Sequence, residues 1–148
     1  MNRDEVTEMI VAAKINTGMK WSDIAAKVGQ SKEWVTAACL GQMTFNEKQA
    51  TIVGALLGLP QEAVRLLQVV PYKGSLPSAV PTDPLIYRFH ELVNVYGTTL
   101  KELIHEEFGD GIMSAIDMSV DIKKIEDPQG VPRMVLTLNG KWLQYKKF

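Results

Sequence analysis

The chain has 148 residues, 46% of them hydrophobic and 22% charged, with 16 Lys and Arg against 17 Asp and Glu. That apolar content at a net charge of −1 excludes a disordered chain. No apolar run reaches the ~18 residues of a membrane span. One cysteine, Cys39, and two histidines, His90 and His105, exclude an internal disulfide and a closed zinc site. His105-Glu106 starts like a metalloprotease helix, but the second histidine is missing. Met1 to Glu5 lead into an amphipathic segment rather than a secretory apolar run, so a soluble, cytoplasmic protein is expected.

Short helices fill the first part of the chain. Val6, Met9, Ile10 and Ala13 repeat at helical spacing, and Gly18 stops that run. Ser22 is placed to cap a second helix ending at Gly29, and Ser31 a third that runs from Lys32 to Leu40. Asn46 and Gln49 have capping-box spacing ahead of Ile52, Val53, Leu56 and Leu57. Pro60 suits the first turn of a fifth helix reaching about Val69. The expected architecture is a five-helix bundle over residues 1–75.

Trp21 to Ser31, followed by Trp34-Val35, has the shape of a repressor-type helix-turn-helix. The would-be reading helix offers Lys32, Glu33, Trp34, Thr36, Ala37 and Ala38, without an Arg, Gln or Asn for a base edge. Residues 1–75 carry 8 basic and 7 acidic side chains, so phosphate neutralisation is lacking. The bundle therefore reads as structural and no nucleic-acid partner is expected. A DNA-binding regulator with an oligomerising C-terminal part is the alternative from a different class.

Pro71 to Pro84 holds four of the seven prolines, with Gly74, Ser75 and Ser78. Such a segment is a linker or an extended arm. Asp83-Pro84 then reads as a cap and first helical residue, and Gly97 as the end of that helix. Thr99 and Glu102 have capping-box spacing for another helix, which Gly109 ends. Beyond Gly111 the period drops to two. Ile116, Met118, Val120 and Ile122 alternate with polar residues, Asp127 to Gly130 is a turn, and Met134 to Leu138 is a second strand. Asn139-Gly140 favours a hairpin turn into a third strand at Lys141 to Leu143.

The fold class is therefore α+β, with residues 76–148 forming a small α+β domain. Two helices and two or three strands make a thin core, marginal unless another copy covers it. An obligate oligomer held through this part is expected.

Arg88 and Glu91 stand three apart on one helical flank, a spacing that by itself describes an exposed ion pair. With a strand starting near it, Ser114 shares parity with Ile116, Met118 and Val120. That places its hydroxyl on the covered face, where serines commonly bond nearby backbone. A Ser-His-Glu hydrolase using Ser114 with His90 or His105 lacks the glycine pattern of a nucleophile elbow.

The run Thr82-Asp83-Pro84-Leu85-Ile86-Tyr87-Arg88-Phe89-His90-Glu91 resembles the central segment of the cyanases, also called cyanate hydratases or cyanate lyases. The resemblance continues through Val95 to Lys101, Phe108 to Ile112, Ser114 to Ile116, Lys123-Lys124, Leu138 to Lys141 and the terminal Phe148. In the bundle it rests on Ile24-Ala25, Val35 to Ala38 and Leu40 to Gln42. Cys39 and His90 depart from it, standing where an aliphatic residue and often a tyrosine are expected. The resemblance implies a lyase that decomposes cyanate with bicarbonate as co-substrate, giving carbon dioxide and carbamate, which breaks down to ammonia and carbon dioxide. It implies no metal and no organic cofactor. Arg88, Glu91 and Ser114 match the family's catalytic Arg, Glu and Ser in motif context. It further implies a decamer of five dimers with intertwined C-terminal strands and sites built from several subunits.

Overall fold

The computed structural model describes residues 1–74 and 76–147. Ser75 of the proline-rich segment and the terminal Phe148 lie outside the described residues. The chain divides into two compact units, Met1–Ser75 and Leu76–Phe148.

The first unit holds five helices: α1 (Arg3–Thr17), α2 (Trp21–Val28), α3 (Lys32–Cys39), α4 (Glu47–Leu57) and α5 (Gln61–Leu66). Local chemistry sets their ends. The Asn2 and Asn46 side chains accept the amides of Glu5 and Gln49, whose own side chains reach back, closing two capping boxes. Ser31 Oγ accepts the Trp34 amide at 3.2 Å, and Gly18, Gly29 and Gly58 end their helices in the left-handed region. Two boundaries differ from the sequence reading. Helix α2 starts before Ser22, because the Asp23 carboxylate accepts the Lys20 amide at 2.9 Å and makes Lys20 the cap residue. Pro60 caps α5 from an extended conformation, and the helix stops at Leu66. The Gln68 and Val69 amides then bond three residues back, the tighter pattern of a fraying last turn.

Val6, Ile10, Ile24, Val35, Phe45, Val53 and Leu67 are each at most 1% exposed and form the centre of the core. Burial of each such side chain contributes about 1.5–3 kcal/mol toward holding the bundle together. Gly54, inside α4, lets α5 pack close: a Cβ there would run into Val64 Cγ2. Cys39 is fully buried in this core, and burial pushes its thiol up to about 12.

The second unit is built differently. A single helix, α6 (Pro84–Phe108), replaces the two expected, starting where Asp83 Oδ1 accepts the amides of Leu85 and Ile86, both at 2.9 Å. Gly97 stays inside it with a helical φ, and Thr99 caps nothing. A mid-helix glycine costs about 1 kcal/mol relative to alanine, too little to break a 25-residue helix.

Strands β1 (Gly111–Glu126) and β2 (Pro132–Gln144) form a two-stranded antiparallel hairpin. Asp127 shapes its turn: Oδ1 accepts the amides of Gln129 and Val131, and Gly130 takes φ 77°. The expected third strand is part of β2. A type I′ turn at Asn139-Gly140 requires positive φ at both residues, and neither has it. Asn139 and Gly140 instead pair with Ser119 and Met118.

Among the described residues, every hydrophobic core residue lies at or before Leu67. Helix α6 buries none of its 25 residues. Leu85, Leu92, Val93, Tyr96, Leu103 and Phe108 are each about half exposed or more. No helix among the described residues is long and apolar enough to cross a membrane.

Candidate active site

Arg88 lies in the second turn of α6, and its guanidinium pairs with the Glu91 carboxylate one turn further on. Both side chains are roughly half exposed or more, so in the single chain this is the exposed pair that the spacing describes. The Arg88 guanidinium carbon also lies 5.7 Å from the centre of the Tyr87 ring, and His90 packs on that ring at the same distance. The carboxylate and the ring restrict the guanidinium while leaving donors free.

Ser114 is held in a different way. The β1–β2 register runs from Met113↔Trp142 to Met118↔Gly140, five steps on β1 against two on β2, so the segment between them bulges out of the ladder. Within this bulge Ser114 Oγ accepts the amides of Ile116 at 3.1 Å and Asp117 at 2.8 Å. The expected parity fails here, because the bulge breaks the alternation: Ser114 is 8% exposed and Ile116 98%. Two N–H donors occupy both lone pairs of the hydroxyl, which leaves its proton to be donated outward. A serine held this way keeps a single hydrogen-bond donor and little capacity to accept.

Three features back the bulge. A Cβ on Gly140 would lie 2.8 Å from the Ser114 carbonyl oxygen and collide with the Met113 side chain. A Cβ on Gly111 would meet Gln144 Cα at 3.0 Å and the Leu143 carbonyl. His105 spans the α6–β1 corner, with Nε2 3.0 Å from the Gly111 carbonyl oxygen and Nδ1 3.4 Å from Asp110 Oδ1. Its ring meets those of Trp142 and Tyr145 edge-on. These supports were missed in the sequence, where Asn139-Gly140 mimics a turn. A glycine inside an alternating strand was the signal for them.

Arg88 and Glu91 are brought together, and Ser114 is not brought to them within one chain. Helix α6 rises roughly 30 Å from Arg88 to Phe108. The six residues on to Ser114 reach at most ~20 Å, and only by doubling straight back. A strand doubled back along α6 would bury that face of the helix, and no α6 residue is buried. The hairpin instead touches α6 at its last turns, where Phe108 and His105 meet Trp142. An open cavity of about 380 Å³ at that corner, lined by Gly109, Asp110, Gln144, Tyr145 and Lys147, includes none of the three. No group of three or more metal-ligating side chains occurs among the described residues.

Residues 3–71 match the family model "Cyanate hydratase, N-terminal", and residues 78–147 match "Cyanate lyase C-terminal domain". A cyanate hydratase of Variovorax paradoxus is 62% identical over all 148 residues, and one of Polaromonas sp. 63%, each covered in full. The chain belongs to the cyanate hydratase family. The crystal structure of a cyanase from T. urticae superposes with a TM-score of 0.81 at 37% identity, covering 94% of this chain and 96% of that one. Membership spans both units, so the helical unit is part of a cyanate hydratase and the regulator reading is not favoured. The 70 residues matched by the C-terminal family model contain Arg88, Glu91 and Ser114.

Proposed function

We propose that this chain is a cyanate-cleaving lyase whose working site joins Arg88 and Glu91 of one subunit to Ser114 of another, with bicarbonate as the second substrate. The observation that carries the reading is the state of the Ser114 hydroxyl, saturated as an acceptor and free only to donate. The family shared with cyanate hydratases along the whole chain supplies the substrate class.

Two anions must meet for this reaction, and their repulsion has to be offset. The Arg88 guanidinium is a forked donor set that stays charged at any working pH. Ser114 adds a neutral donor aimed at the same oxygens. A bicarbonate oxygen bonds to the cyanate carbon while the bicarbonate proton passes to the cyanate nitrogen. Breaking the bond from that oxygen to the original bicarbonate carbon releases carbon dioxide. One further proton gives carbamate, which takes up a second from solvent and decomposes to ammonia and a second carbon dioxide. Negative charge grows on the cyanate nitrogen and oxygen as the first bond forms. Fixed donors in a water-poor crevice stabilise it, and holding two small reactants together lowers the barrier further. Glu91 repels anions directly, so its role is to orient Arg88 and to help place the proton. This chemistry calls on no metal and no organic cofactor.

Oligomerisation is part of the proposal. The second unit has an apolar surface and, among the described residues, no buried hydrophobic side chain, which supports cover by further copies. The family resemblance supports a decamer of five dimers as that assembly. The test is ammonia release by purified protein from cyanate with and without bicarbonate. Release that needs bicarbonate and survives a chelator is expected. Release that persists after exhaustive removal of bicarbonate would contradict the two-anion mechanism.

A further inference from the structure

We propose that Tyr87 is a positioning residue for cyanate cleavage: its ring holds the face of the Arg88 guanidinium, so that the Nε–Nη2 edge stays open toward a two-oxygen anion, bicarbonate. This rests on the proposed role of Arg88 and adds the contact that aims it.

An arginine on a helix surface has a long, freely turning stem, and a single contact cannot aim its guanidinium. Glu91 Oε2 accepts from Nη1 alone, which fixes one corner of the group and leaves it free to pivot. The Tyr87 ring supplies a second point. The guanidinium carbon sits over that ring, 5.7 Å from its centre, within the range of cation–π attraction. Among the described residues these are the only partners of the guanidinium.

The two contacts differ in what they consume. The carboxylate takes an N–H at the edge of the group, whereas the ring takes only its face. The Nε–H and one Nη2–H, parallel donors along one edge, are left open. That edge matches two oxygens on one carbon, which bicarbonate presents and linear cyanate does not. A second carboxylate in place of the ring would occupy the edge and repel both substrates. The ring is itself restrained. Tyr87 and His90 stand three apart on α6, as Arg88 and Glu91 do, and their ring centres lie 5.7 Å apart. When Ser114 of another copy closes on Arg88, water leaves the ring contact and the attraction strengthens.

The test is a double-mutant cycle read in kcat/KM for each substrate at saturating levels of the other, with assembly followed by sedimentation. Tyr87→Leu and Tyr87→Phe are each made in the wild-type and Arg88→Lys backgrounds. In the wild type, Tyr87→Leu is expected to lose roughly tenfold for bicarbonate, the scale of a cation–π contact out of water. Tyr87→Phe keeps the ring and should stay within about threefold. In the Arg88→Lys background Tyr87→Leu should lose less than about threefold, because no plane is left to aim. Equal losses in both backgrounds, with or without loss of assembly, make the ring a packing residue and overturn the inference. A Tyr87→Phe loss as large as that of Tyr87→Leu, a larger loss for cyanate than for bicarbonate, or a Tyr87→Leu enzyme as active as wild type also overturns it. These outcomes leave the shared site intact. Wild-type turnover in Arg88→Lys removes the reading of Arg88 itself.

Discussion

The carbonyl oxygen of Ser114 lies 2.8 Å from the position a Cβ would take on Gly140, so the bulge that presents the Ser114 hydroxyl closes only over a glycine. The same bare backbone also leaves room for the Met113 side chain. Position 140 is thus tied to the proposed site although it is no part of its chemistry.

Gly140→Ala is expected to shift the bulge and lower kcat roughly 10²-fold, the scale of a misplacement near 1 Å. The core of the first unit, far along the chain, should melt unchanged. Turnover within twofold of wild type would show that the bulge tolerates the methyl group and that Ser114 is not held by Gly140.

Arg88→Lys keeps the charge and loses the planar fork. The loss expected in kcat/KM is roughly 10²-fold, comparable to removing one fixed donor from a transition state. Near wild-type turnover with an intact assembly would leave Arg88 as a surface ion pair with Glu91 and nothing more.

Much of this was legible in the sequence because it is written in local chemistry. Ser31, Asn46 and Asp83 bond amides two or three residues on, and such caps follow from spacing alone. The α2 start was missed because Asp23 competes with Ser22 for the role of first-turn anchor and reaches further back. Gly97 and Asn139-Gly140 were misread for one shared reason. Each is a local stop or turn signal overridden by a longer element, a 25-residue helix in one case and a continuous strand ladder in the other. The Arg88–Glu91 pair follows from helical periodicity, whereas the Ser114 bulge depends on how β2 registers against β1. A one-strand reading cannot supply that register.

Cys39 gives the first unit a pH dependence of predictable sign. Burial pushes its thiol up to about 12, above the ordinary 9.0 of a cysteine in the unfolded chain. Between those values the folded state binds more protons than the unfolded one, so stability falls as pH rises. The contribution is fully present below about pH 9 and is lost as pH climbs toward 12. Cys39→Ala, though less stable at neutral pH from the cavity it leaves, should show a shallower decline over that window. Parallel declines in denaturant melts of the two proteins would mean that the thiol is not what titrates. The same burial makes the native thiol resist alkylation until the bundle unfolds.

The measurement that bears most directly on the shared site is complementation between two inactive proteins. Arg88→Ala and Ser114→Ala subunits are unfolded, mixed one to one and reassembled, and mixed oligomers are verified by mass. If each site takes Arg88 from one chain and Ser114 from another, random pairing leaves roughly a quarter of sites with both native side chains. Activity near that share of wild type is expected, with neither parent active alone. Verified hybrids as inactive as their parents would contradict the account and place all three residues in one subunit.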